Sequence, residues 1–179
     1  MLSRKIEDDI QKVILIGTSH SIQEGREKKD AFTAYLKSLC NLHGIQLIAE
    51  ETKEPPETVG FEIANELSIG HKVIEPNLET YESLGIKEIH KIQYEILIKS
   101  GLNPYPEIEN LPTVLFEEYE SKMRIEHMEP REKVWLGKIQ SSKISPVLVT
   151  CGANHFDSFA GLLSQNKIEV IKEDKKWGL

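Results

Sequence analysis

Cysteine is scarce in this chain of 179 residues. Only Cys40 and Cys151 occur, with no CxxC pair. That excludes a disulfide framework and a four-cysteine zinc knuckle, and leaves two buried thiols of a reducing compartment. Positive charge is also short. Lys and Arg number 22 against 29 Asp and Glu, a formal net charge of -7. An acidic surface repels phosphate backbones, so no nucleic-acid partner is expected. No apolar run reaches the roughly 18 residues that a membrane helix needs. The opening stretch, MLSRKIEDDIQK, has no apolar signal core. The expectation is a cytoplasmic protein without a membrane partner. Internal repeats and low-complexity segments are missing as well, so a solenoid is excluded. At this length a single domain can bury a core unaided.

What is present is a series of short apolar runs. KVILIG (12–17), IQLIAE (45–50), HKVIEP (71–76), SPVLVTCG (145–152) and KIEVIKE (167–173) read as strands. The first and fourth are almost continuous in Val, Ile and Leu, as strands buried on both faces are. Helical patterns lie between them. One covers 28–44 and ends at Gly44; another covers 55–70, opening on prolines and ending at Gly70. A third covers 86–101. The segment 111–142 reads as two helices broken near Pro130, and 154–167 as a last helix between two strands. Alternating strands and helices predict an α/β fold: a mostly parallel central sheet flanked by helices. The stretch of about 77–144 has no strand pattern, so a helical insertion before the last strands is expected within one domain.

In such sheets ligands bind outside the carboxyl ends of the strands. The polar residues at those ends are Thr18, Ser19 and His20; Glu50, Glu51 and Thr52; Glu75 and Asn77; and Asn154 and His155. Two imidazoles and several carboxylates suit hydrolysis, which needs a base near neutral pH and a carboxylate to orient it. Gly17 and Gly152 are expected to allow the turns and leave room for substrate. His71, ahead of strand three, is read as structural. His43 is assigned to the carbonyls of its helix end, and His90 and His127 to the surface. Trp135 and Phe159 are read as core.

Four motifs carry a family resemblance. GTSH (17–20), the strand-end AE (49–50), the helix PREKVWLGKI (130–139) and VLVTCGANHFDSFAGLL (147–163) resemble, in order, the TraB/PrgY-like proteins. That group is similar to Tiki metalloproteases and to erythromycin-esterase-like and ChaN-like proteins. The resemblance implies a cleft lined by His20, Glu50, Arg131 and His155, with Glu51 competing for the place of Glu50. Thr18, Glu51, Glu75 and Asn154 are the candidate substrate-binding residues around it. Two chemistries stay open. In one, a His activates water, a Glu orients it and Arg131 steadies negative charge. In the other, His20, Glu50 and His155 hold a divalent metal with one position open for water. The expected function is hydrolysis of an ester or amide bond in a small-molecule or peptide substrate. The alternative is a non-catalytic binding, inhibitor or immunity-type protein that keeps the cleft, working with a protein partner or as a homo-oligomer.

Overall fold

The computed structural model describes residues 10–54, 56–101 and 107–179. All five predicted strands are present: β1 (Lys12–Thr18), β2 (Leu47–Glu50), β3 (Gly70–Val73), β4 (Val147–Gly152) and β5 (Glu169–Lys172). They form one sheet in the order β3-β2-β4-β1-β5, parallel at every pairing. The fold is α/β, with helices on both faces of the sheet.

Alternation along the strands sets the two faces. Val13, Leu15, Leu47, Ala49, Val147, Val149 and Cys151 share one apolar cluster. Helices α7 (Glu129–Ser142) and α8 (Phe156–Gln165) cover it with Trp135, Ile139, Phe159 and Leu163. Ile14, Ile16, Ile48 and Leu148 share the other. That one is covered by α1 (His20–Gln23), α2 (Lys29–His43) and α3 (Val59–Leu67) through Ile22, Phe32, Leu36, Val59 and Ile63. Trp135 and Phe159 are fully buried, as expected of core residues.

The connections create a switch point. β1 passes through α2 to reach β2 on one side, whereas β4 passes through α8 to reach β5 on the other. β1 and β4 are neighbours, and their outgoing loops leave toward opposite faces of the sheet. A crevice at the carboxyl ends follows, and it is where open parallel sheets bind ligands. His20 lies on the loop after β1 and His155 on the loop after β4.

The chain divides into two compact units. One holds the residues up to Glu75 together with Trp135–Leu179; the other is Pro76–Val134. The second contains α4 (Leu78–Ser83), α5 (Ile89–Ser100), α6 (Thr113–Lys122) and the start of α7. It is helical throughout its described elements, as the missing strand pattern predicted. The expected insertion ran on to about 144, but from Trp135 the chain belongs to the sheet-bearing unit. Trp135 and Ile139 are core residues there, and that burial decides the boundary.

Several local expectations change. α3 ends on Ser68, which is left-handed at φ 55°, and Gly70 instead opens β3. Gly44 does cap α2, at φ 63°. The segment near Pro130 does not break. Helix α6 passes through a π-helical turn, Met123–Met128, directly into α7. Pro130 has no N–H for the carbonyl of Glu126 four residues back. Lys87 N donates to that carbonyl instead, at 3.0 Å. His127 is buried rather than on the surface. Its Nδ1 lies 2.8 Å from the Lys87 carbonyl and its Nε2 3.1 Å from Arg131 Nη1. Arginine only donates, so Nε2 accepts, Nδ1 carries the proton, and the ring is neutral. His43 binds Glu173 Oε1 at 3.1 Å rather than helix carbonyls.

Candidate functional site

Two adjacent carboxylates end β2, and alternation sends them to opposite faces. Glu50 shares its parity with Ile48 and is fully buried on the α1, α2 and α3 side. Thr58 Oγ1 donates to its Oε2, His71 Nε2 donates to the same oxygen at 2.8 Å, and Thr150 Oγ1 donates to Oε1 at 3.2 Å. Register accounts for His71, which pairs with Ile48 across the β2–β3 ladder and so shares the face of Glu50. Gly60 lies hard against this carboxyl group: a Cβ there would meet it at 2.5 Å. Glu50 is therefore held in a buried polar knot, and its side chain lies on the opposite face of the sheet from that of Glu51.

Glu51 takes the other face. Its backbone N–H continues the ladder to Thr150 O at 3.0 Å. The side chain is 3% exposed, and Oε2 accepts the Gly152 N–H at 2.7 Å. Oε1 faces two imidazoles. His20 Nε2 stands 3.9 Å away and His155 Nε2 3.8 Å away. The two histidines handed over by β1 and β4 thus converge on one carboxylate oxygen, and that carboxylate is Glu51.

Local sequence explains each placement. Ser19 caps α1, accepting from Ile22 N at 3.3 Å, so His20 is the first helical residue; its side chain is 59% exposed. His155 closes a 3-10 turn, Ala153–His155, at the mouth of α8 and is buried. Its ring packs against Trp135, with centroids 4.7 Å apart. Trp135 Nε1 in turn donates to Glu75 Oε2 at 3.1 Å. Glu75, expected to bind substrate, holds the tryptophan that backs the buried histidine. Asn154 is exposed at the tip of the turn.

The remaining candidates are distributed as follows. Thr18 is buried and its Oγ1 donates to the Trp177 carbonyl at 2.9 Å, so the hydroxyl serves the C-terminal segment. Gly17 does not leave room for substrate. A Cβ there would meet the Lys175 carbonyl oxygen at 2.2 Å, and Gly17 N–H donates to Asp174 O at 2.7 Å. Gly152 does face the site: a Cβ would stand 3.3 Å from Glu51 Oε2 and 3.7 Å from His155 Cδ2. Arg131 belongs to the second unit and is buried, with its Nη1 on His127. Cys151 is fully buried, with Sγ 3.7 Å from the Ile16 carbonyl, the buried strand thiol expected. Cys40 is buried too, and burial raises its thiol to about 11.

Sequence reasoning missed the His71–Glu50 pair and the backing of His155 by Trp135 and Glu75. Among the described residues, no three His, Cys, Asp or Glu side chains are grouped to hold a metal ion as placed. No helix among them is long and apolar enough to cross a membrane. The chain matches no family model, and no curated protein or solved structure matches it.

Proposed function

We propose that this protein is a hydrolase of an ester or amide bond, acting at the β1–β4 crevice through His20, Glu51 and His155. The observation that carries the reading is the convergence of two imidazoles, from separate loops, on one oxygen of a buried carboxylate. Its place at the switch point of a parallel sheet supports it. So does the resemblance of GTSH and CGANH to the TraB/PrgY-like motifs.

The roles follow from exposure. His20 is open to solvent and serves as the base that takes a proton from the attacking water. Glu51 is held by Gly152 N–H, and it orients the imidazole and stabilises the imidazolium that forms. Buried His155, steadied by Trp135, sits on the other side of the same oxygen and fixes the carboxylate, and His20 returns its proton to the leaving group. Two imidazoles and one carboxylate are also a fitting donor set for a divalent metal such as zinc. His20, Glu51 and His155 would hold it, and it would supply a polarised water.

Purified protein assayed on nitrophenyl esters and arylamides at neutral pH, with its metal content measured, tests this. Turnover that falls about 100-fold or more in Glu51→Gln is the expected result. Stoichiometric metal lost in the same variant assigns the metal form. Absence of turnover on both substrate classes, together with tight association with a protein partner that Glu51→Gln leaves intact, overturns the hydrolase and selects a binding protein.

A further inference from the structure

Gln23 has no role in anything described above, yet its placement is unusual. It is the last residue of α1, and its side chain is 1% exposed. Neither Nε2 nor Oε1 has a hydrogen-bond partner among the described residues. Buried side-chain amides are nearly always paired, because an unpaired one carries its full desolvation penalty. A leucine or methionine would remove that penalty. Position on the helix adds direction. At about 100° per residue, Gln23 stands about 60° around α1 from His20 and about 100° from Ile22. It lies between the histidine of the site and the isoleucine of the core.

We propose that Gln23 is a substrate-recognition residue of the same crevice, and that the substrate presents an N–H and a C=O side by side. The proposal rests on the hydrolase reading for the site but not on its chemistry. A glutamine side chain offers one N–H donor and one carbonyl acceptor on a single planar edge. Its complement is a planar group with the reverse pair on one edge. A primary carboxamide has that edge, and so does a lactam. A trans secondary amide sets the two groups on opposite sides and meets only one of them. An ester has no N–H, and a carboxylate sets a second oxygen against Oε1.

The test is an NMR titration of the whole protein with three probes: benzamide, 2-pyrrolidinone and methyl benzoate. The expected result is that the Gln23 side-chain amide and the rings of His20 and His155 shift together with the first two. The two amides should bind at least about tenfold more tightly than the ester, which leaves the glutamine acceptor unmet. The stronger of the two separates an open-chain carboxamide from a cyclic one. Gln23→Met should melt at a higher temperature and lose the preference for amides. A Gln23 signal that stays still while the two histidines respond, or stays still with every probe, overturns the proposal. So does a Gln23→Met variant that keeps the preference. Wild-type titration stands by itself even if the variant fails to fold. Ester turnover without a Gln23 response sinks recognition alone, and a Gln23 response without turnover on any ester or arylamide sinks the hydrolase reading alone.

Discussion

Glu50 and Glu51 are the same residue type, joined by one peptide bond, and they have opposite fates. Glu50 is enclosed by two hydroxyls, one imidazole and the flank of Gly60. Thr58, His71 and Thr150 hold both of its oxygens within the fold. Glu51 has Oε2 anchored on a backbone N–H and turns Oε1 to two imidazoles at 3.8 and 3.9 Å. Those distances exceed a hydrogen bond. One of the imidazoles is open to water. A carboxylate of the first kind stabilises a structure, and one of the second kind is what the proposed hydrolysis calls for. Strand parity alone separates them.

The sharpest way to break this comparison is to remove each carboxylate in turn. Glu50→Ala leaves His71, Thr58 and Thr150 facing a buried void without their acceptor. Taking one partner from a buried charged network costs about 3–5 kcal/mol, and urea unfolding should show a loss of that order. A loss below about 1 kcal/mol, within the range of an ordinary surface change, would show that the knot is incidental. Glu50→Gln keeps one acceptor oxygen and should fall between that variant and the wild type.

Gly60 sharpens the same half. A methyl group added there meets the Glu50 carboxyl at 2.5 Å, so Gly60→Ala should cost about 2 kcal/mol by overpacking. The clash exists only while the carboxyl group is present. The double variant Glu50→Ala, Gly60→Ala should therefore be no less stable than Glu50→Ala alone, a coupling that a double-mutant cycle measures directly. Additive losses would mean that Gly60 answers to something other than Glu50.

For Glu51 the expected order is reversed: little stability lost, much activity lost. Glu51→Gln keeps a carbonyl oxygen to accept the Gly152 N–H, so unfolding should move by less than about 1 kcal/mol. Turnover of a nitrophenyl ester should drop about 10²- to 10⁴-fold, the share general acid–base catalysis commonly supplies. A large fall in stability without a selective fall in turnover would put Glu51 in the same class as Glu50.

How far the sequence reaches is clear from these residues. The strands were legible because apolar runs bounded by helical periodicity leave few other readings, and two histidines at strand ends marked the crevice. The choice between Glu50 and Glu51 was not legible. In IQLIAEE both faces of the strand are buried, so no polar alternation reveals which side meets which helix. It takes the sheet order, with β4 between β2 and β1, to show that the Ala49 side meets α7 and α8 and the Ile48 side meets α3. His71, read as structural from its place ahead of strand three, is structural, but its partner Glu50 is hidden because a shared face across the β2–β3 register does not show in the sequence. The crowding at Gly17 is hidden for a related reason. The segment that fills the space beside it lies beyond β5, more than 150 residues later, and follows no periodic pattern.

The smallest structural effect belongs to His20, and it separates a catalytic histidine from a decorative one. His20 is the first residue of α1, but the helix start is set by Ser19, whose side chain accepts from Ile22 N. The His20 side chain is 59% exposed and packs into neither core cluster. His20→Ala should then change unfolding by no more than about 0.5 kcal/mol, as exposed positions do. If His20 takes the proton from water, ester turnover should still fall about 100-fold or more. Ser19→Ala supplies the control, because losing the cap costs about 1 kcal/mol and loosens the turn that presents the imidazole without removing it. Its turnover should lie between the wild type and His20→Ala. An alanine at position 20 that leaves turnover unchanged would leave His155 as the one imidazole able to act on Glu51. The exposed half of the site would then be no more than the solvent edge of a capped turn.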